Sequence, residues 1–567
     1  MKNEERLNLA DYFLFDRIRE GKGERVALRF GNHTYTYRDV AARTRALTSL
    51  LIQADVRRGE RILIVLPDAP PFAWSFYATL FAGAVVAMGN PDSDPAQIRA
   101  LVHYTRATAV ITVDDIARDL EAWMGSREEA AATQAHEELR RVFVAPRVAT
   151  GEECEVDVAP FADARFVSLA SAIKSAGEVD CKGRVTHRDE PAIWLFTSGS
   201  TGEPKANIHS QRDFEFNTEV YAKKTVGYRE DDVSVSVPRL FFGYATGTNL
   251  MFPFAVGASV GLFSERPTPE SLMRAIEMYR PTVVTNVPTM LGKLLDHDDV
   301  QRKATGKGLD FSSIRFSLSA GEALPEALLD RWLARFSSDV YDGIGSAEMF
   351  HIYASNRPGD IRPGSLGKVV EGYELKILPE EATGSNGASV SPGEIGVLWV
   401  RGDSVSHGYW LDREKSWRTF HGHWCRTGDL FRVDEAGYLY FAGRADELLK
   451  VSGQWVSPIE VEDCLLAHEG VAAAAVIGVL EEGLLKPKAF IVPRTGVSPD
   501  DALKKALQDF TKSRLAKHKY PRVIDFVTDL PKNDRGKIDR KALRQSEEGN
   551  AEETRRGASP GEETSAK

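Results

Sequence analysis

Hydrophobic residues along this chain fall into two kinds of run. Short apolar blocks such as Arg61-Ile-Leu-Ile-Val-Leu66, Ala109-Val-Ile-Thr-Val113, Ala192-Ile-Trp-Leu-Phe196, Val283-Val-Thr-Asn-Val287 and Ile395-Gly-Val-Leu-Trp-Val400 read as buried strands. Between them lie stretches with apolar residues at helical spacing. This alternation, held over the first 445 residues, predicts layered α/β subdomains with largely parallel sheets. Near Gly443-Arg-Ala-Asp446 the pattern changes: a helix is expected over 458–468, a strand over 472–479, a basic helix over 501–517, then a terminal loop and helix. The expected organisation is a large domain, 1–445, and a small α+β domain, 446–545. Residues 546–567 are polar, with alanine as their only hydrophobic residue, and read as a disordered tail. The segment 119–182 is less regular and richer in charge and alanine, and suggests no function.

Two uncharged stretches, 72–89 and 240–264, invite a membrane reading. The second contains Asn249, Pro253 and four glycines, and neither has a basic cluster on one flank. Both are expected as buried helix-to-strand segments. The start, MKNEERLNLADYF, lacks a signal-peptide core. Cys154, Cys181, Cys425 and Cys464 are scattered without metal-ligand spacing, which predicts reduced thiols in a cytoplasmic protein. A length of 567 residues, 43% hydrophobic and 27% charged, is that of a soluble protein with more than one core. The net charge of −10 counts against a general nucleic-acid or membrane-surface binder. Anionic ligands would need locally placed lysines.

One such lysine ends Thr197-Ser-Gly-Ser-Thr-Gly-Glu-Pro-Lys205, directly after the strand block at 192–196. Backbone N–H groups, hydroxyls and an ammonium together suit a polyphosphate. The spacing is not that of the common P-loop, in which lysine follows the second glycine directly. Alone, the run also fits a flexible surface turn. Tyr341-Asp-Gly-Ile-Gly-Ser-Ala-Glu348 pairs glycines with a carboxylate able to hold Mg²⁺, though such a segment is also an ordinary strand-end turn. Cys425-Arg-Thr-Gly-Asp429 offers a carboxylate to ribose hydroxyls, or is a plain Asx turn. Gly443-Arg-Ala-Asp-Glu-Leu-Leu-Lys450 and Pro531-Lys-Asn-Asp-Arg-Gly-Lys537 complete the set.

In this order and spacing the motifs resemble the acyl-adenylate-forming superfamily: acyl- and aryl-CoA synthetases, adenylation domains of peptide synthetases, and beetle luciferases. The resemblance spans about 9–544. Val237-Pro-Arg-Leu-Phe-Phe-Gly-Tyr244 and Asp342-Gly-Ile-Gly-Ser-Ala-Glu-Met-Phe-His-Ile352 resemble the benzoate-CoA ligase branch, including ligases for 2-aminobenzoate (anthranilate).

The resemblance implies the adenylate-forming enzyme fold, with the small domain a mobile lid. It also implies a reaction in which an aromatic carboxylic acid, ATP and Mg²⁺ give an aryl-adenylate, whose aryl group then passes to CoA. By the same analogy Thr197, Ser198, Gly199, Ser200, Thr201, Gly202 and Lys205 hold the outgoing phosphates, and Glu348 holds Mg²⁺. Gly321, Glu322, Asp342, Gly343, Ile344 and Ser346 border the adenine and α-phosphate, with Asp429 and Arg444 at the ribose. Lys537 bridges the acid and the α-phosphate. Asp446 is the hinge, and Lys450 and Gly453 form the face used for CoA transfer.

The implied acid pocket is Phe242, Gly243, Tyr244, Ala245, Gly345, His351 and Ile352. Aromatic walls with glycines suit a flat ring, although an aliphatic core would use the same residues. Gly243 stands where alanine is common, leaving more room. His351 suits an ortho or meta substituent on the ring, or is a core histidine. Three residues depart from the pattern: Ala206 for glycine, aliphatic Ile344 for an aromatic, and Ala347 for a threonine. Loss of that threonine hydroxyl should cost about 1.5–3 kcal/mol unless Ser346 or a water replaces it. A separate acyl carrier protein as acceptor, a non-catalytic nucleotide-binding homologue and a luciferase-like oxygenase remain alternatives.

Overall fold

The apolar blocks at 61–66, 109–113, 192–196 and 283–287 become inner strands of two largely parallel sheets, whereas the block at 395–400 forms Gly396–Arg401 in a separate five-stranded sheet. The computed structural model describes residues 5–126, 138–177, 179–198, 204–322, 324–445, 448–451, 454–481, 484–494, 496–532 and 538–547. These group into two compact units. One is drawn from Met1–Ala320, Arg331–Lys376 and Trp399–Thr427, the other from Gly321–Asp330, Ile377–Leu398 and Gly428–Lys567.

The first unit holds a seven-stranded sheet ordered Phe166–Ser168, Arg141–Ala145, Ala107–Val113, Arg61–Val65, Val85–Met88, Pro191–Ser198, Pro204–Ser210. Every neighbouring pair is parallel except the last. The irregular 119–182 segment supplies two of these strands and the helix Leu169–Ala176. Its strands were hard to see in the sequence because one is only three residues long.

A nine-stranded sheet in the same unit runs Lys368–Val369, Ile352–Ser355, Asp339–Gly345, Phe316–Ser319, Val283–Asn286, Val233–Ser236, Ser259–Leu262, Val26–Phe30, His33–Thr36. It is parallel from Asp339–Gly345 to Val26–Phe30 and turns antiparallel at both margins. After Pro191–Ser198 and Asp339–Gly345 the chain doubles straight back, as it also does at the His33–Thr36 margin. The first two strands carry motif residues at their carboxyl ends. A short reversal in place of a crossover helix leaves polar turns at that end, where open α/β sheets bind ligands.

Both uncharged stretches fold as short helices leading into strands. Pro70–Phe81 is a helix buried on every side, followed by the buried strand Val85–Met88. Gly243–Thr246, Gly247–Met251 and Phe252–Val256 are successive helical turns leading to Ser259–Leu262. No described helix is long and apolar enough to cross a membrane. None of the four cysteines is in a disulfide.

In the second unit the strands Val471–Glu481, Leu484–Pro493 and Val523–Phe526 form a sheet that packs with the helix Pro458–Leu466 on Val456, Val461, Leu465, Val476, Ile491, Leu507 and Ile524. The basic helix runs Asp501–Arg514, capped by the Asp500 carboxylate, and ends at Leu515, whose backbone is extended. A helix over 540–547 enters the stretch expected to be disordered. There Glu547 pairs with Lys488 at 2.7 Å. Residues 548–567 lie outside the described residues.

Candidate active site

The strands Pro191–Ser198 and Pro204–Ser210 place Thr197 opposite Lys205 and Ser198 opposite Pro204. Gly199, Ser200, Thr201 and Gly202, between them, lie outside the described residues. The Thr197 hydroxyl is buried without a hydrogen-bond partner among the described residues. It is the kind of orphan donor that a phosphate oxygen would satisfy. Lys205 Nζ sits 3.1 Å from Asp412 Oδ2, and the other Asp412 oxygen accepts the Lys415 N–H and caps the helix Arg413–Thr419. A partly exposed pair of this kind is worth up to about 1 kcal/mol, against about 1.5–3 for a charge-assisted contact to phosphate. Lys205 is therefore oriented by Asp412 without being withheld from an anion. Ala206 is fully buried among Trp194, Tyr104, Phe196 and Trp410, so its methyl group fills an aromatic cluster.

Glu348 lies on the single helical turn Ala347–Met349, which the strand Pro191–Ser198 packs against. Tyr409 Oη donates to Glu348 Oε1 at 2.7 Å, and the Ser406 N–H donates to the Glu348 carbonyl at 2.9 Å. Burial, reinforced by the Glu348 charge, pushes the Tyr409 phenol far above its usual range, so it stays a donor. The Ser404 hydroxyl donates to the Met349 carbonyl. His209 Nε2 donates to the Ala347 carbonyl at 2.6 Å, and its Nδ1 lies 2.8 Å from Asp213 Oδ2. The Ser346 hydroxyl is buried and has no partner among the described residues. A fixed carboxylate near unsatisfied hydroxyls suits a hard cation and phosphate oxygens.

Asp342 is buried, and its carbonyl accepts from the Asn356 backbone and side chain. Gly343 and Gly345 face the neighbouring strand. A Cβ would lie 2.8 Å from the Ala354 carbonyl oxygen at the first and 2.4 Å from that of His351 at the second. Close strand approach, which the sequence did not reveal, demands these glycines before any ligand does. Ile344 is half-buried beside them.

The segment from Phe242 carries the expected acid-side residues. Phe242 is half-buried with its ring centroid 4.2 Å from that of Phe241, while Ala245 and Ile352 are buried. The extra room expected at Gly243 is absent, because a Cβ there would meet Leu195 at 3.2 Å. His351 is 2% exposed among Tyr221, Tyr244, Phe252 and Phe350. Burial pushes its pKa down to about 3, so the ring is neutral. Its Nε2 lies 3.1 Å from the Tyr244 carbonyl, which can only accept, so Nε2 carries the hydrogen. Among the described residues Nδ1 is left as a buried acceptor with no donor, and the buried Tyr244 hydroxyl likewise has no partner. Gly247 is required by this ring, since a Cβ would come within 2.6 Å of it.

The entry to this segment is held by Asp68, which accepts the Leu240 N–H at 3.0 Å and lies 3.7 Å from Arg239. Burial raises the Asp68 pKa to about 6. A carboxyl raised on folding favours the fold below its unfolded value, and the advantage is lost as pH climbs through about 6. The shift of about two units corresponds to roughly 3 kcal/mol. Asp68→Asn keeps the acceptor for Leu240. Its melting temperature relative to wild type should therefore rise between pH 4 and pH 7; a constant offset would contradict this.

In the second unit, Asp429 lies opposite Arg444 in an antiparallel pair, with Oδ1 3.2 Å from the guanidinium. Gly428 and Gly443 both have positive φ on either side of that pair. Gly321 also has positive φ and precedes half-buried Glu322. Lys450 is exposed on the strand Leu449–Val451. Asp446, Gly453 and Lys537 lie outside the described residues.

Residues 15–410 match the family model of the AMP-binding enzyme, and residues 460–537 that of the AMP-binding enzyme C-terminal domain. This chain belongs to the AMP-binding enzymes. It is 37% identical to the benzoate–CoA ligase of Thauera aromatica over 96% of this chain and 97% of that protein. It is 32% identical to the anthranilate–CoA ligase of Pseudomonas aeruginosa, covering 90% and 92%. The crystal structure of the anthranilate CoA ligase AuaEII in complex with anthranoyl-AMP superposes with a TM-score of 0.86 at 33% identity, covering 97% of this chain and all of that one. The fold is thus the adenylate-forming one expected from the motifs.

Four residues around the motifs of this AMP-binding enzyme escaped sequence reasoning: His209, Asp213, Tyr409 and Asp412. Tyr409 and Asp412 lie far along the chain from the groups they hold. The only sequence signal was at Ser210–Asp213, where a serine followed three residues later by a carboxylate marks a helix start.

Proposed function

We propose that this enzyme is an ATP-dependent aryl acid–CoA ligase that makes an aryl-adenylate and then an aryl-CoA thioester, with a benzoate or a small substituted benzoate as its acid. The near full-length identity to ligases of benzoate and of anthranilate carries this reading. The acid, ATP and CoA are the substrates, and Mg²⁺ neutralises phosphate charge when bound.

In the first half, the acid carboxylate attacks the α-phosphate and pyrophosphate leaves. Thr197, Lys205 and the loop between them stabilise the outgoing phosphates, with Glu348 at the metal and Ser346 donating to an oxygen. Asp342, Gly343, Ile344, Gly321 and Glu322 border the base, Asp429 and Arg444 take the ribose, and Lys537 joins the two reacting anions. In the second half the 446–545 domain turns about Asp446, replacing Lys537 by the Lys450–Gly453 face. One pocket thereby serves two reactions in sequence.

For the acid, 2-aminobenzoate is the preferred reading. The bare Nδ1 of His351 is an acceptor that benzoate cannot satisfy and an amino or hydroxyl substituent can. The direct test is pyrophosphate release and thioester formation with ATP, Mg²⁺ and CoA across benzoate, 2-aminobenzoate, hydroxybenzoates, cinnamates, phenylacetate and short fatty acids. Activity on a benzoate that stops at adenylate in the presence of CoA would transfer the reading to a carrier-protein acceptor. His351→Leu should lower kcat/KM for 2-aminobenzoate relative to benzoate by about tenfold. An unchanged ratio would remove His351 from substrate choice.

A further inference from the structure

We propose that His209 is a positioning residue for adenylate formation: clamped by Asp213, it grips the Ala347 carbonyl and so sets the turn that carries Glu348. The proposal rests on the reading of Glu348 as the magnesium-holding group.

The ring is wholly buried and has an oxygen on each side, Asp213 Oδ2 at 2.8 Å and the Ala347 carbonyl at 2.6 Å. Asp213 is itself immobile. It accepts the Ser210 N–H and hydroxyl and closes the capping box of the helix Gln211–Asn217. Phe214 packs against the imidazole in an edge-to-face contact, at 5.8 Å between centroids. A buried polar pair of this kind is a poor way to gain stability, since apolar residues of similar volume commonly do as well. What it adds is geometry.

The geometry matters at this point for two reasons. Ala347 has no side-chain hydrogen-bonding group, so a neighbour can hold this residue only by its backbone, and His209 takes the carbonyl. His209 also lies on the strand Pro204–Ser210, four residues after Lys205 and on the same face, since alternate residues of a strand point the same way. One stiff strand therefore registers the lysine of the phosphate loop against the glutamate turn. Tyr409 and Ser406 hold that turn at Glu348 itself, while His209 holds the residue before it.

The test is the half-saturating Mg²⁺ concentration for pyrophosphate release in four variants. In His209→Gln the amide nitrogen reaches the position of Nε2 and keeps the bond to Ala347. In His209→Asn the amide reaches Asp213 only. Loss of an outer partner of a metal-holding group typically weakens metal binding 10–100-fold, so His209→Asn should raise the Mg²⁺ requirement at least about fivefold while His209→Gln stays within about twofold of wild type. Asp213→Asn leaves Nε2 free to donate and should also stay within about twofold.

Thioester formation from pre-made aryl-adenylate should keep its wild-type rate in all three. Equal shifts in the Gln and Asn variants overturn the proposal. So do lower melting temperatures with unchanged Mg²⁺ dependence, because His209 is then merely structural. Glu348→Gln is the reference: if it moves the Mg²⁺ requirement and His209→Asn does not, this inference alone fails. If Glu348→Gln moves nothing, the magnesium reading fails and takes this inference with it.

Discussion

Lys537→Ala should slow adenylate formation by about two to three orders of magnitude and leave thioester formation from pre-made aryl-adenylate near its normal rate. The first step brings together two anions, the carboxylate of the acid and the α-phosphate. A lysine between them cancels repulsion that peaks as the new bond forms, which is worth about 3–4 kcal/mol in a dry site. The second step starts from a mixed anhydride in which the carboxylate charge has already gone into the new bond, so it has no such need. Pyrophosphate release from the acid and ATP measures the first half, and CoA-dependent consumption of synthetic aryl-adenylate measures the second. An equal fall in both would falsify the assignment of Lys537 to the first step.

Glu348→Gln should raise the Mg²⁺ needed for half-maximal pyrophosphate release by at least about tenfold, and lower the rate at saturating Mg²⁺ by about a hundredfold. Tyr409 donates its hydrogen to Glu348 Oε1, and it can donate equally to the amide oxygen of glutamine. The Ser406 bond runs to the Glu348 backbone and is untouched by the change. The turn is therefore kept and only the charge is removed. This separates Glu348 from Lys537 experimentally, because added Mg²⁺ should recover part of the loss in the first variant and none in the second. A Glu348→Gln enzyme with the wild-type Mg²⁺ dependence would place the metal elsewhere.

Much of the architecture was legible without coordinates. The blocks at 61–66, 109–113, 192–196 and 283–287 are strands of the two sheets because β-branched and aromatic residues in unbroken apolar runs suit strands covered on both faces. The uncharged 72–89 and 240–264 segments resolved into helix and strand, as glycine and proline had suggested. Where the sequence misled, the cause was a neighbour distant along the chain. Room was expected at Gly243, but Leu195 takes it, and the glycines at 343 and 345 answer first to the backbone of residues 351–354.

The order and spacing of the motifs carried the resemblance to the family, and the resemblance in turn implied the two-step chemistry and the residues proposed for it. Those residues sit in continuous segments whose local chemistry is self-sufficient: a donor-rich loop suits phosphate wherever the fold puts it. Only the tertiary structure decided which groups hold them in place. Asp412 on Lys205, Tyr409 on Glu348, His209 on Ala347 and the Tyr244 carbonyl on His351 are all pairings between segments well separated in sequence. The last of these also decides the chemistry that His351 can offer. A histidine in a sequence has two equivalent prospects for its proton, and it takes burial together with one fixed carbonyl to leave Nδ1 as the acceptor.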